Sequence, residues 1–542
     1  MKTVLSLLFS ALFLFSAQLQ SQTYLWARSG GGNSGDYGNA VAVDAAGNSY
    51  VTGWFQQAMT LGSYTLISNG FYDVFVAKYD PNGNVVWATS AGSGANDIGY
   101  GISLDAVGGI YVGGTFSGSV FFGSNSVTSS NSSADAFVAK LSPSGTWLWV
   151  RAGGSTVDDQ AQCIDVNGST VALSGYFKSS ATFSTGTINS YGNSDIFVAK
   201  YDTAGNFQWV RGGGGTSYEI AYGVTVDPSG NIYSNGYFRG TATFGIFIMT
   251  STGGDDAILL QYSPTGTCMW AKKGGGTGDD KGLGVTSDAN GIYATGWFVG
   301  NATFETQGIA SAGSSDVYVV KYNTAGTLQW ISRAGGVYAD GGYGIAASAS
   351  GSLWVTGSFD TTAQFGPVMV NSFGGTDVFI ARLSASTGVF NIASSGGAQA
   401  ATIFQKDIGY GIGIDGSGMV YAIGAFQNTA TWGPFFTTSV AIQDFFLVKL
   451  DQTTGIQGSD HNAFYIYPNP AKDHISIMFP DAINKNAQVR IYGIDGKILV
   501  EHRSVDLHSG TQIEIPISHL SPGIYFVETN DGVARTSLFI KE

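Results

Sequence analysis

Residues 73–87 read Asp-Val-Phe-Val-Ala-Lys-Tyr-Asp-Pro-Asn-Gly-Asn-Val-Val-Trp. Val74-Phe75-Val76-Ala77 is apolar at consecutive positions, so a strand there must be covered on both faces. Asp80-Pro81-Asn82-Gly83-Asn84 is turn chemistry, with Pro presetting the first turn position and Gly taking the left-handed one. Val85-Val86-Trp87 then starts a second strand. Such a hairpin has no way to bury itself alone and predicts a repeated unit.

Working outward from Trp87, the same stretch recurs. Trp26, Trp87, Trp149, Trp209, Trp270 and Trp330 follow at intervals of 61, 62, 60, 61 and 60 residues. The next copy has Asn391 in place of Trp but keeps Gly396-Gly397. An Asp before an apolar run recurs at Asp73, Asp135, Asp195, Asp256, Asp316, Asp377 and Asp444. A Gly-x-Phe triplet keeps the same beat, from Gly53–Phe55 to Gly424–Phe426. Each unit reads as four main strands, with a short Phe-Gly element such as Phe122-Gly123 as an extra edge piece. Strands apolar on both faces fit sheets stacked radially around an axis. The chain enters the array on a Trp strand (Tyr24–Ser29) and leaves it on Asp444–Leu450, each end lacking what the other supplies. The expectation is an all-β, seven-bladed β-propeller closed by its N-terminal strand, over residues 23–457.

Composition agrees. Glycine is 79 of 542 residues, charged residues are 11% and aromatics 13%, which fits short strands and tight turns rather than disorder. The net charge of −14, without a basic run, argues against nucleic acid. Lys2 followed by an apolar run from Val4 to Phe15 reads as a signal peptide over residues 1–22, cleaved between Ala17 and Gln22. No later segment is long and apolar enough to span a membrane as a helix. Cys163 and Cys268 fall in non-neighbouring repeats and read as small buried hydrophobes rather than a bridge.

The repeat, with its Asp-x-Phe-Val-Ala-Lys and Gly-Asn-x-Tyr-Val-x-Gly motifs, resembles the bacterial SBBP β-propeller repeat family over residues 24–452. That resemblance implies an extracellular propeller and little about activity. After Gly458 the beat stops, and residues 458–542 read as a small β-sandwich of five to seven strands. There, Tyr467-Pro468-Asn469-Pro470-Ala471, the segment Val489–Lys497 with Gly496, and Leu520-Ser521-Pro522-Gly523-Ile524-Tyr525 closely resemble the type A sorting domain of the type IX secretion system of Bacteroidetes. The resemblance implies export through that machinery, the domain's usual removal, and a propeller on the cell surface or in the medium.

The propeller contains no histidine, which removes the Ser-His-Asp and Cys-His arrangements and most transition-metal sites. One acid precedes the second strand of each unit: Asp36, Asp97, Asp158, Glu219, Asp280, Asp340 and Asp407. Such a ring leaves a divalent cation open. The structural reading is that each acid bonds backbone amides of its own turn, or pairs with a base near the Trp (Arg28, Arg151, Arg211, Lys272, Arg333). No other cofactor or metal is expected.

Function in a symmetric scaffold sits where the copies differ. The middle residues of the Gly-x-Phe triplets include Trp54, Tyr176, Tyr237 and Trp297, suited to stacking on sugar rings if they face a mouth, and core if they face the next blade. An insertion around Gln399–Lys406 adds Phe404. The sequence therefore points to a monomeric, non-catalytic module binding a glycan or protein. A carboxylate-based polysaccharide-active enzyme and a structural envelope component are the alternatives.

Overall fold

In a computed structural model, four strands repeat with one antiparallel order. Asp36–Val43, Ser49–Phe55, Asp73–Tyr79 and Val85–Ala91 pair in sequence. The structure describes residues 21–399, 406–440, 443–455, 465–467, 471–478, 487–493, 497–505, 512–530 and 534–541. The proposed signal peptide up to residue 20, Phe404, Pro468, Asn469, Pro470 and Gly496 lie outside them. Residues 22–452 form one unit and those from 453 onward belong to another.

The first strand of each sheet is innermost. Asp36–Val43, Ile98–Leu104, Gln160–Asn167, Ile220–Val226, Lys281–Asp288, Gly341–Ala347 and Ile408–Ile414 each lie beside the next, and the last lies beside the first. Sheets radiating from such a ring make a β-propeller. Close approach selects small residues here: a Cβ on Gly223 would lie 2.6 Å from the Leu283 carbonyl of the neighbouring sheet.

The last sheet is completed by the first strand. Ser21–Gly32 lies beside Asp444–Gly455, outside Val420–Phe426 and Ile408–Ile414. Tyr24 shares a core with Trp432 and Phe446, and Trp26 shares the neighbouring one with Phe445 and Leu447.

The Phe-Gly element is more than an edge piece. It is a hairpin between the second and third strands, and its first limb pairs with the outer strand of the preceding sheet, as in Gly153↔Phe183 and Gly214↔Thr243. The first hairpin latches onto the N-terminal strand at Gly31↔Thr60. Adjacent sheets are thus joined by backbone bonds as well as apolar packing.

The opposite face carries the turns. Asp44 Oδ1 accepts the N–H groups of Ala46 and Asn48 at 3.0 and 2.9 Å, an Asx turn as its sequence required. Gly83, at φ 78°, lies under the Trp26 ring, whose Nε1–H donates to the Pro81 carbonyl at 3.0 Å. The tryptophan beat is therefore an inter-sheet contact. Both cysteines are free thiols, Cys268 buried and Cys163 half-buried.

In the C-terminal unit, one sheet orders Tyr465–Tyr467, His474–Met478 and Gln512–Pro516. The other orders Ile498–Val505, Ala487–Gly493, Gly523–Asn530 and Ala534–Lys541. Ile475, Ile477 and Ile515 of the first share a core with Ile491, Val527 and Phe539 of the second.

Candidate functional site

Each inner strand begins beside an acid, and the structure assigns that acid a backbone role. Asp97 accepts the N–H of Ser93 at 2.6 Å and that of Ser117 at 3.0 Å, tying one sheet's exit to the end of the next sheet's second strand. Asp36, Asp280, Asp340 and Asp407 each accept two backbone N–H groups in the same way. Glu219 accepts Gly215 N–H at 2.8 Å. The third member of the row is Asp159, not Asp158. Asp159 is buried and accepts N–H from Ser155 and Lys178, whereas the exposed Asp158 touches Ala134 N–H at 3.2 Å. The spacing of 61 residues chose the wrong half of an Asp-Asp pair.

The bases near the tryptophans are engaged elsewhere. Arg28, Arg151 and Arg211 donate through Nε, each at 2.9 Å, to the carbonyls of Gly83, Gly205 and Gly266, and Lys272 meets Glu305 at 2.5 Å. Arg333 pairs at 3.0 Å with Asp316, which belongs to a second row of acids.

That second row is Asp73, Asp135, Asp195, Asp256, Asp316, Asp377 and Asp444, all buried. Burial pushes the carboxyls of both rows up, to about 7 for Asp36, Glu219, Asp340 and Asp407 and about 8 for Asp377, where Asp407 adds repulsion. Asp73, Asp256, Asp316, Asp377, Asp444 and Glu219 each keep one oxygen without a hydrogen-bond partner among the described residues. Among those residues, no group of three or more His, Cys, Asp or Glu side chains is arranged to hold a metal.

The aromatic residues of the triplets lie at the same mouth. Each pairs across strands with the residue just inside the acid: Trp54 with Tyr37, Tyr176 with Gln160, Tyr237 with Ile220, and Trp297 with Lys281. Trp54, Tyr176 and Trp297 are half-buried, whereas Tyr237 is buried at 7% exposed. Trp54 stacks on Tyr37 with ring centroids 4.4 Å apart, and Tyr72 packs on it at 4.2 Å. Further in, the inner strands place Tyr100, Tyr222, Tyr343 and Tyr410. Their phenols are shifted up by burial, Tyr100 to about 12, and stay protonated donors at neutral pH.

One sector also carries charge. Lys281 lies over the Tyr237 ring at 4.2 Å and the Trp297 ring at 5.7 Å, with Nζ 3.2 Å from Asp255. Asp255 meets Arg239 at 2.6 Å, and Arg239 meets Asp279 at 3.2 Å. Sequence reasoning passed over Tyr37, Arg239, Asp255 and Lys281. Their signal was departure from the repeat consensus at positions flanking the acid and the Gly-x-Phe triplet.

In the C-terminal unit, Gly523 starts its strand opposite Lys541. Tyr525 is buried, donates to the Ser521 carbonyl at 2.6 Å and stacks on Phe539 at 5.5 Å.

Residues 465–541 match the family described as the secretion system C-terminal sorting domain. The chain is 24% identical over 323 residues to an uncharacterized WD repeat-containing protein of Acanthamoeba polyphaga mimivirus, covering 46% of this chain and 23% of that protein. It is 28% identical over 348 residues to the regulatory protein FlaEY of Caulobacter vibrioides, covering 58% of this chain and 35% of that one. The matches thus span well under half of these relatives' lengths. Among solved structures, the WD40 domain of Neurospora crassa Pan2 aligns at TM-score 0.41 and 10% identity, covering 82% of this chain and 98% of that one. The quinohemoprotein alcohol dehydrogenase from Comamonas testosteroni aligns at TM-score 0.37 and 10% identity, covering 84% and 80%. The class is therefore that of a β-propeller bearing a C-terminal sorting domain. This chain is exported by type IX secretion, to the cell surface or the medium. No helix among the described residues is long and apolar enough to cross a membrane.

Proposed function

We propose that the exported chain is a closed, seven-bladed SBBP-type propeller acting as a monomeric, non-catalytic module that binds glycans at the mouth of its channel. The signal peptide over residues 1–22 and the small sandwich over 458–542 serve export from a Bacteroidetes cell, and residues 23–457 do the binding. The observation carrying this reading is that half-buried Trp54, Tyr176 and Trp297 stand at the same register position on alternate sheets, where the copies differ. Aromatic faces turned partly to solvent suit the C–H faces of sugar rings, and protonated tyrosines supply donors to hydroxyls. Cyclic neighbouring of the inner strands supports closure.

The polysaccharide-active enzyme needs acids that one site has and the other blades lack. Asp255 and Asp279 are of that kind, but both are held in ion pairs with Arg239, and Asp255 also with Lys281. The two repeated rows hold backbone amides, so the reading calls on no metal or cofactor. A structural envelope component would use the same fold without a soluble ligand. Affinity electrophoresis of the full chain in gels of soluble polysaccharides separates these. We expect retardation that Trp54→Ala or Tyr176→Ala weakens roughly tenfold, as losing about 1.4 kcal/mol of stacking implies. Turnover of the polysaccharide would count for the enzyme.

A further inference from the structure

We propose that the outer face of the four-stranded sheet in the C-terminal unit docks on the type IX export machinery, through an apolar patch centred on Ile524 and Phe526. The assignment concerns the sorting domain and is independent of what the propeller binds. Strand alternation defines the patch. In Gly523–Asn530, Tyr525 and Val527 are buried and turn inward, so Ile524 and Phe526 turn out, exposed at 50% and 36%. Ile524 pairs across strands with Ile540, which is 42% exposed between buried Phe539 and Lys541. Phe526 pairs with Tyr492, and Tyr492 with Ile498, itself 50% exposed. The patch therefore crosses all four strands, from Ile498 to Ile540.

The fold of the unit does not consume these side chains. The inward residues Ile491, Val527 and Phe539 of this sheet already share a core with Ile475, Ile477 and Ile515 of the other. Two residues further along Gly523–Asn530 the same face turns polar. There Arg490 meets Glu501 at 2.9 Å and Glu528 at 3.6 Å, and Tyr492 Oη donates to Glu528 at 3.0 Å. Charge thus gathers at one end of the face and apolar surface at the other.

The outer face of the three-stranded sheet has a different character. It presents exposed His474, Glu514 and Pro516, with His474 3.7 Å from Glu514. Residues 465–541 match a sorting domain, whose task is to be read by a secretion system, so one of its surfaces meets that machinery. Of the two outer faces, as far as the described residues show them, the four-stranded one offers the contiguous exposed side chains whose burial favours association. The partner surface that fits it is apolar.

The test uses the full chain in cells that carry a type IX system. The exported fraction is compared for wild type, Ile524→Ser, Phe526→Ser and Glu514→Ala, with unfolding temperatures of the purified chains measured alongside. A photo-crosslinking side chain at position 524 identifies what touches the patch. Each serine variant is expected to lower export roughly tenfold, as loss of an anchor side chain from an interface implies, while Glu514→Ala and all unfolding temperatures hold. The crosslink is expected to join position 524 to a subunit of the secretion system. Should either serine variant unfold, Ile524→Ala, a smaller change at a half-exposed site, decides. Export that survives the changes at 524 and 526 overturns the proposal. A crosslink to a second copy of the chain assigns the patch to self-association, and one confined to the same chain, or none, removes the docking role. Equal loss of export in Glu514→Ala overturns the choice of face.

Discussion

Asp158 and Asp159 show what a repeat discloses about one residue and what it hides. Periodicity places an acid at that position, but copies of 60 to 62 residues cannot say which of two adjacent carboxylates turns inward. Only the backbone decides: two N–H groups, of Ser155 and Lys178, converge on Asp159. Removing a buried acceptor of two amides leaves both unsatisfied, so Asp159→Ala lowers stability by roughly 2–4 kcal/mol, while Asp158→Ala stays within about 0.5 kcal/mol. Guanidinium unfolding of the two variants checks this, and equal effects would return the row to its sequence assignment. The mouth was partly legible by the same logic. Trp54, Tyr176 and Trp297 stood out as symmetry breakers, but which way they faced did not, because alternation along a strand buried on both sides carries no inside or outside. Lys281 and Arg239 were passed over for another reason: a lone base on a strand looks like ordinary surface until a carboxylate is found across the gap.

The strands and turns were readable because each carries its own chemistry. Consecutive apolar residues, Asp-x-x-Gly turns and the tryptophan beat placed them. The inter-sheet hairpins were only half seen, since Phe122-Gly123 reports a tight turn but not which sheet its limb will join. At this scale the two acid rows make a prediction. A carboxyl whose folded pKa exceeds its unfolded value stabilises the fold below the unfolded value and loses that contribution as pH rises through the folded one. Asp377 starts from 3.8 and is pushed to about 8, and Asp407 to about 7. Asp80, Asp105 and Asp202, held low by hydrogen bonds in their turns despite some desolvation, act the opposite way and withdraw support in acid. The unfolding temperature should therefore be highest near pH 4 and decline toward pH 8. Asp377→Asn should flatten the decline between pH 6 and 8, with Phe373 facing it through the backbone and Asp407 and Asp360 as its charged neighbours. A profile that rises to pH 8 would contradict the assignment.

The whole molecule depends on what its two ends do. Sequence phase alone predicted that the N-terminal strand completes the last sheet, because the array begins and ends on complementary strands. The structure puts Ser21–Gly32 in that position, with the first hairpin latched to it at Gly31↔Thr60 and Gly32↔Met59. Closure also gives the mouth its meaning, since a ring turns scattered side chains from many repeats into one lined opening, whereas an open spiral would spread them along a groove. Hydrogen exchange of the exported chain tests this most directly. The amides of residues 24–32 should be protected as strongly as those of an outer strand inside the chain, Phe207–Gly215. If residues 24–32 instead exchange as fast as a fraying terminus while the internal outer strands stay protected, the ring is open and the account fails.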